Sequence, residues 1–305
     1  MLGIDSVAYI TRMVMGVGDD FKTLCSNLAV TKRSTISDRY ELITRRLNLE
    51  FWDNDSRVNH SIYTGSYGRG TATGETSDVD MIFWLQYKDY LRFNGHEGNG
   101  QSAMLQEVRA AIKKTYSVTN IGADGQVVVV PFDDGITFEV LPAFVNKDDS
   151  FTYPDSNGGG SWKTTNPRPE IAEINSMDNK CNGNLKNLCK MARAWKAVWN
   201  VPISGLLIDT LAYQFIRDYQ YRDKSYVYYD FMSRDFFQFL RDQKEDQNYW
   251  LSPGAGQYVW RTGKFEYKAT QCRNIATEAC AYQGDKYGWT ARQKWREIYG
   301  TSFPS

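Results

Sequence analysis

Two aspartates and a Gly-Ser turn are the residues most suited to chemistry in this chain. They lie together between Tyr63 and Phe83, in the stretch YTGSYGRGTATGETSDVDMIF. Gly65-Ser66 opens a run of small residues, and eleven residues separate Ser66 from Asp78-Val79-Asp80, which leads into the apolar Met81-Ile82-Phe83-Trp84-Leu85. Aspartate is poor in strand interiors, so two at the head of an apolar run require a reason. On a strand, residues i and i+2 share a face, which sets Asp78 and Asp80 side by side and turns Val79 and Met81 toward the core. Two adjacent carboxylates repel each other unless a cation lies between them. Oxygen donors suit Mg²⁺ or Mn²⁺. A Gly-Ser turn that opens a helix offers backbone N–H groups and a hydroxyl to a phosphate. Metal and phosphate together point to nucleotide chemistry.

The elements that must hold these residues follow from periodicity. A helix or two is expected over 5–31, with Ile10, Met13, Val14, Phe21, Leu24 and Leu28 apolar, and a better one over Ser34–Trp52. Strand Val79–Gln86 is followed by an amphipathic helix over Ser102–Tyr116. Val127–Phe132 and Ile136–Leu141 pair as a hairpin through Asp134-Gly135. In the second hairpin strand Glu139 shares a face with Thr137 and Leu141, opposite Ile136, Phe138 and Val140. An acid in so apolar a strand needs a partner or solvent. Asp78, Asp80 and Glu139 therefore read as one catalytic set able to bridge two divalent ions. One ion would lower the pKa of an attacking 3′-hydroxyl, and the other would neutralise the triphosphate and the leaving pyrophosphate.

Residues 148–170 read as an irregular loop or lid, rich in Gly, Asn, Asp, Ser and Pro. In it Asn166 could read a base edge, since its amide both donates and accepts. Trp162 reads as a pin for the loop. Arg69 either contacts phosphate or pairs with an acid such as Glu75. Helices are expected over Asn184–Trp199, Gly205–Tyr219, Asp230–Lys244, Ala269–Tyr282 and Thr290–Ile298. Lys190 and Arg193 lie one turn apart on the first of these and can reach a triphosphate. Ser204 caps the next helix and is a further candidate phosphate contact. The fold class is α+β: N-terminal helices and an α/β core over 1–180, then an all-helical domain over 181–305.

Bulk properties narrow the partners. The formal net charge is zero, which argues against long nucleic acid as a ligand. No apolar run approaches the roughly 18 residues of a membrane span, and no charged leader precedes residue 5, so neither a membrane nor a secretory route is expected. The five scattered cysteines contain no C-x-x-C, and the histidines are His60 and His96. This fits reduced, buried thiols in a cytoplasmic protein rather than a disulfide framework or a zinc site.

Gly65-Ser66-x-x-Arg69-Gly70-Thr71-Ala72, then Asp78-Val79-Asp80, then Glu139 resembles the signature of the polymerase β-like nucleotidyltransferases. More narrowly it is similar to the bacterial cyclic-oligonucleotide synthases (the CD-NTase or SMODS family), relatives of cyclic GMP-AMP synthase and the oligoadenylate synthases. Leu185-Lys186-x-Leu188-x-Lys190-x-x-Arg193-x-Trp195 and the ending Trp295-Arg296-x-Ile298-Tyr299-Gly300-x-x-Phe303-Pro304 support the narrower choice. The resemblance covers about residues 35 to 305. It implies a mixed sheet with flanking helices, a C-terminal helical bundle, and a two-lobed cage with triphosphate between Gly65-Ser66 and the Lys190/Arg193 helix. It also implies ribonucleoside triphosphates joined into a cyclic di- or trinucleotide, an effector that responds to that product in anti-phage (CBASS) defence, and room for regulatory protein partners. Two departures stand out: family helices commonly read Arg-x-x-Lys, and the third acid is often Asp. Rival readings are a transferase acting on RNA or protein, and a catalytically silent nucleotide-binding regulator.

Overall fold

A computed structural model describes residues 16–74, 78–282 and 288–305. The expected helical positions Ile10, Met13 and Val14, and Glu75 as a partner for Arg69, lie outside the described residues. In chain order the elements begin with α1 (Val17–Asn27), α2 (Arg33–Phe51), β1 (Ser61–Tyr63), α3 (Gly65–Gly68), β2 (Asp78–Trp84), α4 (Tyr87–Asn94) and α5 (Gly100–Lys113). Then come β3 (Gly122–Asp124), β4 (Val127–Pro131), β5 (Thr137–Val145), β6 (Phe151–Asp155), β7 (Ser161–Thr165) and α6 (Pro167–Lys180). The remainder is α7 (Asn184–Val198), α8 (Gly205–Arg217), α9 (Tyr229–Arg241), β8 (Tyr249–Leu251), β9 (Tyr258–Trp260), α10 (Glu266–Ala281) and α11 (Gly288–Tyr299).

The chain forms two compact units that do not divide at a single point. The strand-bearing unit is Val30–Gly70 with Glu75–Ile171. The helical unit takes in the described residues before Val30, the short segment Thr71–Gly74, and Ala172–Ser305, so the boundary falls inside α6.

In the strand-bearing unit the sheet runs β1-β2-β5-β4-β3, with β6 joined to β5 and β7 to β6. β2 and β5 are parallel, and the other pairs are antiparallel. One face is covered by α2 and α5. Ile36, Tyr40, Ile43 and Leu47 of α2, and Met104, Leu105, Val108 and Ile112 of α5, pack on Val79, Met81, Phe83, Phe138 and Val140. These five strand residues are almost completely buried, each burial contributing about 1.5–3 kcal/mol. A one-residue slip of either central strand would move its apolar set out and its acids in. The core thus dictates that Asp78, Asp80 and Glu139 face the other side.

The expected hairpin of Val127–Phe132 with Ile136–Leu141 is present as β4–β5, with Val130 opposite Phe138. Residues 148–170, expected to be irregular, instead hold the β6–β7 hairpin and the first turn of α6. The run Asn157-Gly158-Gly159-Gly160 is the turn that joins those strands, so its composition describes four residues and not the whole segment. Trp162 pins β7: its indole N–H donates to Asn94 Oδ1 at 3.0 Å, and its ring packs on Tyr90 and Phe144.

In the helical unit α1 opens with Asp19 and Asp20, which suit the positive end of a helix dipole. Its Phe21 meets Trp295, Phe303 and Tyr229 edge-on at 5.0, 5.2 and 6.2 Å. The α1 ring therefore joins the aromatic residues of the chain's ending in one core with α7, α8, α9 and α10. The β8–β9 hairpin, with Trp250 and Val259 turned inward, adds to it. Among the described residues no helix is long and apolar enough to cross a membrane.

Candidate active site

The three acids stand on the two central strands. Asp78 is exposed, Val79 buried, Asp80 half-buried and Met81 buried, which is the alternation expected of a strand. In the parallel pairing of β2 with β5, Asp78 lies beside Thr137 and Asp80 beside Glu139. Paired positions on neighbouring strands are about 4.8 Å apart. Asp80 and Glu139 are therefore neighbours, with Asp78 one pleat along.

Electrostatics mark the same trio. Burial raises the pKa of Asp80, the nearby Arg69 guanidinium opposes that rise, and Asp78 adds to it. Burial also raises Glu139, with Asp80 and then Asp78 pushing the same way. Like charges that hold one another's protons are the arrangement a cation relieves. Among the described residues no three Asp, Glu, His or Cys side chains converge closely enough to enclose a single ion. The donor chemistry nevertheless fits hard divalent cations: all donors are carboxylate oxygens, adjacent in register and facing one side.

The Gly-Ser turn is fitted against Asp80. The Thr64 N–H donates to the Asp80 carbonyl at 2.9 Å. Gly65 then takes φ +57°, and a Cβ built there would lie 1.8 Å from Asp80 Oδ2. Glycine is required twice over, by the left-handed backbone and by the approach of the carboxylate. Ser66 is the next residue, in the first turn of α3. Two residues past α3's Tyr67, Arg69 is buried and donates to Glu170 Oε1 at 2.7 Å, an ion pair with both side chains under a tenth exposed.

Asn166 directly precedes α6, and its Oδ1 is buried; among the described residues it meets no hydrogen-bond donor. In the helical unit Lys190 is half-buried on α7, close enough to Cys25 for its charge to draw that thiol's pKa down. Burial is the larger influence there and raises the thiol to about 12. Arg193, one turn on, donates to both oxygens of Asp209. Ser204 is the N-cap of α8, its Oγ accepting from Leu207 N–H at 3.2 Å.

Comparison with known proteins fixes the family. The model of the SMODS family, the Second Messenger Oligonucleotide or Dinucleotide Synthetase domain, matches residues 15–178, more than half of the 305-residue chain. The chain belongs to the SMODS family. A probable cyclic nucleotide synthase of Bacillus cereus (strain VD146) is 24% identical over 180 residues, 55% of this chain and 52% of that protein. The chain thus matches about half the length of that curated relative. Among solved structures, Escherichia coli MS115-1 CdnC in complex with HORMA-deltaN superposes with a TM-score of 0.68 at 13% identity, over 93% of this chain and 98% of that one. Bradyrhizobium diazoefficiens CdnG, a CD-NTase in complex with GTP, gives 0.66 at 11% identity, over 92% and 94%. Vibrio cholerae DncV in its apo form gives 0.64 at 14%, over 99% and 90%. At these identities the likeness speaks for the fold, and the SMODS chain has the polymerase β-like nucleotidyltransferase fold of this bacterial CD-NTase group.

The matched segment of the SMODS chain contains Gly65, Ser66, Arg69, Asp78, Asp80, Glu139 and Asn166, and ends before Lys190, Arg193 and Ser204. Sequence reasoning did not find Glu170 or Asp209, the buried acids that hold Arg69 and Arg193. Each is an acid in a mainly apolar helix stretch, at Pro169-Glu170-Ile171-Ala172 and Leu206-Leu207-Ile208-Asp209, and that is the signal that could have exposed them.

Proposed function

We propose that this chain is a metal-dependent nucleotidyltransferase that joins ribonucleoside triphosphates, ATP among them, into a cyclic di- or trinucleotide and releases pyrophosphate. The observation that carries this reading is the register of Asp80 beside Glu139 with the Gly65-Ser66 turn seated on Asp80. A binding-only protein needs no such trio of acids behind a phosphate turn.

Asp78, Asp80 and Glu139 would hold two Mg²⁺ or Mn²⁺ ions. When bound, the metal would acidify the acceptor hydroxyl and offset the charge of the triphosphate. The chain's own residues do the rest. The Gly65-Ser66 turn receives the donor triphosphate with backbone N–H groups and the Ser66 hydroxyl. Glu139, whose proton affinity is raised, accepts the proton of the attacking hydroxyl. The hydroxyl oxygen bonds to the α-phosphorus, the bond from that phosphorus to the bridging oxygen breaks, and pyrophosphate leaves. Lys190 supplies positive charge to the triphosphate. Arg69 acts from behind the turn through its charge on Asp80, and Ser204 contributes as the cap of α8. Ring closure repeats the step, with the linear product's terminal hydroxyl as the nucleophile.

Asn166 is proposed to read a base edge with its amide, favouring a pyrimidine, and its buried Oδ1, which meets no hydrogen-bond donor among the described residues, supports this. Replacement by serine should change the nucleotide preference; an unchanged preference would remove Asn166 from the site. The product is proposed to act on a downstream effector in anti-phage (CBASS) defence in the cytoplasm. The E. coli relative was solved with a HORMA protein, and a regulatory protein partner is proposed here as well. Incubation with the four NTPs and Mg²⁺ or Mn²⁺, phosphatase treatment and mass spectrometry should reveal a phosphatase-resistant cyclic product. Absence of any such product under both metals would overturn the reading.

A further inference from the structure

Asp209 is completely buried, and its carboxylate gathers donors from two places in the sequence of the helical unit. Arg193 Nη1 donates to Oδ1 at 2.5 Å and Nη2 to Oδ2 at 2.8 Å. The guanidinium is held in turn by the carbonyls of Cys189 and Gly205, at 3.3 and 3.1 Å. The hydroxyl of Thr71, itself completely buried, donates to Asp209 Oδ2 at 2.8 Å. Thr71 starts the segment Thr71–Gly74, which is counted with the helical unit. The other end of that segment is also fixed, since Gly74 N–H donates to the Leu28 carbonyl at 3.0 Å.

The two-pronged Arg193–Asp209 pair satisfies the buried charges without a third donor. The Thr71 hydroxyl is thus not needed to neutralise Asp209. What it fixes is a piece of backbone. Residues 71–73 belong to no helix or strand, so bonds of this kind decide where they run. Thr71 stands five residues after Ser66 and seven before Asp78. A shift of Thr71 is passed along so short a tether to the phosphate turn.

We propose that Arg193 is a positioning residue and not a phosphate ligand: with Asp209 it clamps Thr71, and through the chain it sets the Gly65-Ser66 turn for the donor triphosphate. The inference rests on the nucleotidyltransferase reading, and its test separates the two. Inorganic tripolyphosphate with Mg²⁺ presents the phosphates without a base. Its binding is measured by calorimetry for wild type, Thr71→Val, Thr71→Ser, Arg193→Lys and the Thr71→Val/Arg193→Lys double variant. Pyrophosphate release from the four NTPs and thermal melting are followed on the same proteins.

Thr71→Val, which keeps the shape and removes the donor, should weaken tripolyphosphate binding roughly five- to tenfold. It should raise KM more than it lowers kcat, with little change in Tm. Thr71→Ser should return binding to within about twofold of wild type. Arg193→Lys should weaken binding through the same clamp, so the double variant should be no worse than the poorer single one. Wild-type binding in a folded Thr71→Val protein overturns the clamp. Should Thr71→Val not fold, Thr71→Ala, which also lacks the donor, is read by the same outcomes. Tripolyphosphate binding that depends on Thr71, with no nucleotide product, overturns the synthase reading and leaves the clamp standing. Nucleotide product with binding indifferent to Thr71 does the reverse, and a wild type that binds no tripolyphosphate overturns both.

Discussion

Replacing Gly65 with alanine separates the two demands that the structure makes at that position. The backbone at φ +57° costs a non-glycine residue roughly 1–2 kcal/mol. The new methyl would lie 1.8 Å from Asp80 Oδ2, 2.6 Å from Cγ and 3.0 Å from Cβ. To stand even 3.0 Å away, the carboxylate oxygen must retreat by about 1.2 Å, and the contact with Cγ means that rotation of the oxygens alone does not relieve it. A displacement of about 1 Å at a reacting group costs on the order of 100-fold in rate. Gly65→Ala should therefore melt a few degrees lower and lose about 100-fold or more in kcat, measured by pyrophosphate release under saturating NTP. Gly98→Ala is the control. That glycine sits at φ +88° with no heavy atom within 4 Å of a built Cβ, so it should show the strain and keep the rate. Gly65→Ala turning over within about threefold of wild type would refute the claim that the turn is seated on Asp80 for catalysis.

The double variant Asp78→Asn/Asp80→Asn should fold, make no cyclic product by mass spectrometry, and lose the rise in Tm that Mn²⁺ gives the wild type; wild-type-like turnover would sink the assignment of the acids. Glu139 and Asp80 bind protons more tightly folded than unfolded, so the stability they contribute is complete below the ordinary carboxylate range and is lost as pH rises through their raised values. Glu139→Gln should accordingly melt above wild type at neutral pH in EDTA, with the gap closing near about pH 4; a gap that does not depend on pH would contradict it. Arg69→Met breaks the buried ion pair with Glu170 and should cost about 3–5 kcal/mol in denaturant unfolding, most of it recovered in Arg69→Met/Glu170→Leu.

The strands that carry Asp78, Asp80 and Glu139 were legible in the sequence because one periodicity sets both the buried face and the acidic one. Alternation in DVDM and in TFEVL names the buried face and, by the same count, the acidic one. The Asp134-Gly135 turn fixed the hairpin for a local reason. Long-range choices were not legible. Nothing near Arg193 in sequence says that Asp209, a turn into the following helix, will take its guanidinium. Arg69 reads from sequence as a phosphate contact or as the partner of an acid such as Glu75, and nothing near it points to Glu170, 101 residues away. In residues 148–170 the glycine turn dominates the average composition and masks the strands on either side of it. The helix over Pro167–Lys180 was hidden for a similar reason, since two prolines in its first turn read as a break when they are in fact tolerated there.

The parallel pairing of β2 with β5 has a consequence for how the chain comes to life. The β4–β5 hairpin closes a loop of a few residues, while Asp80 meets Glu139 only after a 59-residue excursion. Closing long loops is the slow part of building a sheet, so the local hairpin is expected to form first and the parallel strand to dock late. The acids are therefore assembled by the same event that completes the core beneath them. A nascent or half-unfolded chain carries both acids but holds them apart. This ordering ties the joining of the two acids to the completion of folding.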